Sequence, residues 1–150
     1  MGHARDMRRR RIEIPQPRRE RARTAARAGM AALLAAAGVS HLTWGRRGYR
    51  IVVPDWATRL LRTDKDLIVV ASGAVEVLSA AALVIFPADR ARVGAFVAAF
   101  FVAVFPGNVH QWRTGRSAPG LATDRARLGR LFLQPLLVAW ALWATRQREC

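Results

Sequence analysis

Apolar positions in this chain fall into four long blocks instead of the one-sided stripes of soluble helices. Residues 28–45, 67–88, 93–112 and 128–145 contain 78 positions and two formal charges, Glu76 and Arg130. The remaining 72 positions carry the other 33 charges. Each block is close to the ~20 residues that a helix needs to cross hydrocarbon. All four are rich in Ala and Leu and lack the period-2 alternation of outer-membrane strands. A spanning helix satisfies its own backbone hydrogen bonds, which lipid cannot do. The pattern therefore predicts an all-α protein, a four-helix transmembrane up-and-down bundle. A long polar connection follows the first helix and carries a short interfacial segment. A tight turn around Pro87 makes the second and third helices antiparallel neighbours, and a loop over 113–127 leads into the fourth.

The formal charge is +15, with 24 arginines against one lysine, and ten of those arginines lie in residues 1–27. This opening stretch reads as a disordered basic tail, followed by a transmembrane domain over 28–145 and a short end over 146–150. A cleaved export signal fits less well, because the first apolar block runs on to full spanning length. Arginine-rich arms bind nucleic acid by counterion release, but no aromatic interrupts residues 1–27 to stack a base. The tail is instead expected to set topology and to touch anionic headgroups. Counting basic residues on each side favours both termini in the cytoplasm of a bacterial cell, with the bundle in its inner membrane.

Polar residues inside the blocks carry the functional signal, since each is costly in lipid and usually turns toward the bundle interior. Glu76 lies about 14 Å into the second helix, near the midplane of a ~30 Å core. Ser72, Glu76 and Ser79 are spaced i, i+4, i+7 and form one stripe. The first helix ends in Ser40 and His41, the third in Asn108, His110 and Gln111, and the fourth begins with Arg130 and Gln134. In an up-and-down bundle all of these gather in one half of the membrane, the outer half in the favoured orientation. A small pocket is expected there, with His41, Ser72, Glu76, Asn108, His110, Arg130 and Gln134 as its candidate residues. Two arrangements of Glu76 remain open: an ion pair with Arg130, or a lone proton-carrying carboxylate beside an Arg130 that snorkels to the headgroups. His41 and His110 could flank a quinone, whereas haem ligation is disfavoured and no metal set is visible.

Pro106 and Pro135 cannot donate to Val102 and Leu131, so each is expected to kink its helix beside the cluster, with a local break at Pro106-Gly107-Asn108. Trp44, Tyr49, Trp56 and Trp112 read as an interfacial aromatic belt. The stretch over 49–61, interrupted by Pro54, reads as a short amphipathic piece on the surface.

Taken in order, Ala37-Gly38-Val39-Ser40-His41, Arg50-Ile51-Val52-Val53-Pro54 with Trp56, Ser72-Gly73-Ala74-Val75-Glu76, Val104-Phe105-Pro106-Gly107-Asn108-Val109-His110 and Leu131 to Gln134 resemble the DoxX-like family of small bacterial membrane proteins. The resemblance covers residues 28–145. It implies a four-helix integral membrane protein, with His41, Glu76, Asn108, His110 and Gln134 at the family's polar positions. Some members are subunits of a thiosulfate:quinone oxidoreductase or partners of oxidative-stress complexes. Leu42 and Gly107 depart from the family pattern, which commonly has Phe and Ala at these places.

Related four-helix thiol oxidoreductases need paired cysteines, and Cys150 is solitary. No nucleophile elbow, phosphate loop or dinucleotide fingerprint is present. The sequence thus points away from a catalytic chain. It favours an accessory subunit of a membrane redox or stress complex, with lipid and protein subunits or further copies of itself as partners, and a quinone or other small ligand in the pocket. The alternative is a scaffolding membrane protein in which the same polar residues only hold helices together.

Overall fold

Two helix pairs build the molecule. In a computed structural model, which describes residues 16–117 and 122–147, six helices follow one another: α1 (Gln16–Leu42), α2 (Arg46–Tyr49), α3 (Asp55–Leu61), α4 (Lys65–Ile85), α5 (Arg90–Thr114) and α6 (Asp124–Thr145). No strand occurs among the described residues. The four long helices α1, α4, α5 and α6 are each long and apolar enough to cross a membrane. Much of their surface is large and apolar, with Leu78, Val84, Phe132 and Leu136 each more than 60% exposed.

α1 packs chiefly on α4, and α5 on α6, while a smaller α1–α6 contact joins the pairs. Glycines set this pairing. A Cβ on Gly38 would lie 2.7 Å from the Gly73 carbonyl oxygen, and one on Gly73 would lie 3.0 Å from that of Gly38. α1 and α4 therefore cross almost backbone to backbone, as small residues permit between helices in lipid. Gly94 does the same for α5, seating the Thr145 side chain of α6 where its own Cβ would be. α4 and α5, expected to be antiparallel neighbours because of the tight turn at Pro87, do touch but meet less than either pair does. The turn tethers one end only, and no glycine crossing draws the two together.

Away from the polar end, Met30, Leu34, Leu83, Val97, Phe101 and Ala141 belong to one buried apolar core. Asp64 caps α4 by accepting from the Leu67 N–H at 2.7 Å, and Thr123 caps α6 by accepting from Ala126 at 3.2 Å. α5 stops at Gly115, whose φ of 64° only glycine adopts without strain.

Two expectations need correction. Disorder was expected throughout residues 1–27, yet α1 already starts at Gln16. Its early turns are held on α6, where the Trp140 indole N–H donates to the Ala26 carbonyl at 3.1 Å and Arg23 reaches the Arg146 carbonyl. Residues 1–15 and Cys150 lie outside the described residues. The expected break at Pro106 does not occur either, for α5 runs through it to Thr114.

Candidate functional site

The glycine crossing of α1 and α4 produces the central contact of the site. With the backbones this close, His41 at the end of α1 and Glu76 on α4 meet: the His41 Nδ1–H donates to Glu76 Oε2 at 2.6 Å. Both side chains are nearly withdrawn from the surface, 13% and 10% exposed. Tyr49 of α2 sets its ring edge-on to the imidazole, centroids 3.9 Å apart, and its hydroxyl lies 3.4 Å from Ser40 Oγ. Ser72, one turn before Glu76, donates back to the Val69 carbonyl at 2.9 Å.

The α5–α6 pair supplies the opposite wall. Asn108 Nδ2 donates to Gln134 Oε1 at 2.9 Å, and Gln134 Nε2 donates to the Phe101 carbonyl at 2.6 Å. That carbonyl lies next to the one that Pro106 leaves without its usual helical donor. Arg130 donates to Gln111 Oε1 at 3.2 Å, and Gln111, 1% exposed, donates to the Arg116 carbonyl. These bonds satisfy polar groups that would otherwise be stranded in an apolar surrounding.

Between the two pairs lies a cavity of about 320 Å³. His41, Tyr49, Ser72, Glu76, Asn108 and Arg130 form its polar wall. Ile68 and Val69 of α4 and Phe100, Ala103 and Val104 of α5 form its apolar sides. The α2–α3 segment contributes Val52, Val53, Pro54, Trp56, Leu60 and Leu61 as a roof. Ion pairs hold that roof. Asp66 at the start of α4 accepts from Arg46 through both oxygens and from Arg50 at 2.5 Å. Asp55 of α3 accepts from Lys65 at 2.5 Å. The hydrogen bond from Lys65, its charge, and the charges of Arg116 and His110 together hold the Asp55 carboxyl below the usual carboxylate range.

A family model for a domain of unknown function, DUF8561, matches residues 30–145, from the first buried turn of the core to the end of α6. The chain belongs to the DUF8561 family. No curated protein and no solved structure matches it.

In this DUF8561 chain the structure gathers five of the seven residues singled out by sequence, His41, Ser72, Glu76, Asn108 and Arg130, on one cavity. Gln134 stands behind Asn108 as its hydrogen-bond acceptor. His110 is not among the lining residues, and its buried Nε2 has no hydrogen-bond partner among the described residues. It therefore does not join His41 on this cavity.

Neither open arrangement of Glu76 holds. The carboxylate pairs with His41, while Arg130 turns to Gln111. The expected aromatic belt also divides. Trp44 points outward at 76% exposure, whereas Tyr49 and Trp56 line the cavity. Gln111, placed in the polar cluster by sequence but not among the pocket candidates, enters as the acceptor for Arg130, and the roof residues were missed as site components. The signal for the roof was the unbroken apolar run Ile51-Val52-Val53-Pro54, unusual for a connection lying on the surface. Among the described residues no group of three or more His, Cys, Asp or Glu is placed to hold a metal.

Chemically, the cavity offers one carboxylate with an imidazole already attached, one guanidinium with donors to spare, an amide, a hydroxyl and a phenol. Its formal charges cancel, so a strongly charged guest gains little, and a neutral guest with oxygen donors or acceptors is matched on both sides.

Proposed function

We propose that this chain is a four-helix integral membrane protein whose cavity holds a small neutral lipophile with hydrogen-bonding oxygens, a quinone headgroup being the class that fits. In this reading it serves as a non-catalytic subunit of a quinone-linked redox or oxidative-stress complex in a bacterial inner membrane. Both termini face the cytoplasm and the cavity lies in the outer half. Support for a bilayer setting comes from four helices of spanning length with large apolar side chains on their outer surfaces. Support for a redox setting comes from the ordered resemblance to DoxX-like proteins.

The observation that carries the proposal is the largely buried His41–Glu76 pair on a cavity also lined by Arg130. Replacing buried ionic groups by apolar residues of similar volume is often neutral or stabilising, so packing alone gives no reason to keep them there. A guest explains them. A quinone carbonyl accepts from Arg130 or from the Asn108 amide, and the hydroxyls of the reduced form donate to Glu76.

The test is to purify the protein from membranes, extract bound lipophiles and compare wild type with Glu76→Gln and His41→Ala. Near-stoichiometric quinone in wild type, lost in both variants while the helical signal is kept, is the expected result. An empty wild type, with Glu76→Gln melting at the same temperature, would return these residues to scaffolding.

A further inference from the structure

A second hollow lies beyond the cavity, lined by the same two helices, α4 and α5. Beyond Ser72 and Glu76, the next turns of α4 present Leu78, Ser79 and Ala82, and beyond Phe100 the neighbouring turns of α5 present Phe96 and Val93. These residues line the second hollow, of about 380 Å³. The two hollows therefore follow one another along the seam between α4 and α5, the consecutive long helices that meet so little. From Ser72 to Ala82 the seam is about 15 Å long. Its second part is apolar except for the Ser79 hydroxyl, which is buried without a hydrogen-bond partner among the described residues, and Arg92 at the end, which pairs with Asp89.

The two parts differ in what they can bind. The first has a polar wall of balanced charge, and the second offers only shape and apolar surface. A roof held by Asp66 to Arg46 and Arg50, and by Asp55 to Lys65, covers the first part on the side of the α2–α3 connection. Leu78 and Phe96 stand at the rim of the second hollow, each more than half exposed, so the hollow is open to the surroundings of the two helices.

We propose that this seam takes the apolar tail of the guest whose head sits in the cavity. The ligand class is then a long-tailed lipophile, an alkyl or prenyl quinone, entering sideways from the bilayer. This rests on the reading of the cavity as a headgroup site. The succession of a polar and an apolar hollow between the same two helices is what selects a single tailed molecule as the occupant.

The experiment uses two probes, a dimethoxy-methyl-benzoquinone without a tail and the same ring with a decyl tail. Binding of each is measured to the full-length protein in one detergent, for wild type, Glu76→Gln and Ala82→Phe. Partition of the tail into micelles is the same for every variant, so the ratio of the two affinities, compared between variants, is the readout. In wild type the decyl probe binds at least about tenfold tighter than the tailless one. Ala82→Phe fills the seam and removes that advantage while leaving the tailless probe unchanged, and Glu76→Gln weakens both. Phe96→Ala, which takes away the wall instead of filling the space, lowers the same ratio and serves where Ala82→Phe does not fold.

Equal affinities in wild type, or a ratio untouched by both seam variants, overturn the tail assignment and leave the headgroup site standing. Failure of wild type to bind either probe overturns the headgroup reading itself. An intact ratio with a changed oligomeric state in Ala82→Phe makes the seam a contact between copies and overturns the proposal.

Discussion

Gly38→Ala tests the structural basis of the site at its narrowest point. The added Cβ would stand 2.7 Å from the Gly73 carbonyl oxygen, 2.8 Å from Val77 Cγ2 and 3.0 Å from Glu76 Cβ. Restoring ordinary contact, which begins at 3.4 Å, requires α1 and α4 to separate by about 0.7 Å. Carried to the next turn, that shift stretches the His41–Glu76 bond from 2.6 Å to about 3.3 Å, beyond the usual range for a hydrogen bond to nitrogen. Overpacking of this kind costs about 1–3 kcal/mol, against about 1 kcal/mol gained from the better helix propensity of alanine. Gly129→Ala isolates the propensity gain, because nothing lies within 4 Å of its Cβ. Equilibrium unfolding in mixed micelles should therefore place Gly38→Ala about 1–3 kcal/mol below Gly129→Ala. The imidazole signals of His41 should shift in the first variant and stay fixed in the second. Equal stability of the two variants, with His41 unmoved, would refute the close crossing and the account of how His41 reaches Glu76.

Gln134→Leu deprives the buried Asn108 amide of its acceptor and the Phe101 carbonyl of its side-chain donor. A loss of about 1 kcal/mol in the same unfolding assay is expected, with Asn108→Leu,Gln134→Leu recovering part of it. The roof should respond to salt and acid. Asp66→Asn weakens its hold on Arg46 and Arg50, so hydrogen exchange over residues 50–61 should accelerate, and 1 M salt should reproduce part of the effect in wild type. Asp55 is held below the usual carboxylate range, so its contribution is fully present above about pH 4 and is lost as the pH falls through its lower folded value. Exchange over residues 50–61 should accelerate only below about pH 4, and Asp55→Asn should abolish that acid step.

The four long helices were legible because a block cleared of charge for about twenty residues has few alternatives to a buried or lipid-facing helix. The gathering of His41, Ser72, Glu76, Asn108 and Arg130 was legible for a related reason: alternating helix directions bring one set of ends together wherever the turns are. Partnering was not. Whether Glu76 takes His41 or Arg130 depends on shifts of an ångström between α1 and α4, and these follow from Gly38 and Gly73, whose effect is three-dimensional. The start of α1 was hidden because an arginine-rich segment looks unstructured until the contact of Ala26 with Trp140, 114 positions away, is known.

Glycine placement also explains why there is a cavity at all. Gly38 and Gly73 pull α1 onto α4 at the polar end, and Gly94 with Thr145 pulls α5 onto α6 near the opposite end. No comparable crossing joins α4 to α5, so once each pair has closed, the space left over collects along their shared seam. In the proposed bilayer setting, polar side chains on the inner faces have two directions available, outward to lipid or inward to the seam. An unsatisfied polar group in hydrocarbon costs several kcal/mol, so they turn inward and find one another. Asn108 meets Gln134, Arg130 meets Gln111, and His41 meets Glu76. The polar wall follows from the helix pairing, and the apolar continuation past Ser79 follows from the same unclosed seam where the helices carry Leu78, Ala82 and Phe96 instead. The polar hollow and the apolar one thus arise from one packing fact, the separation of two tightly crossed pairs.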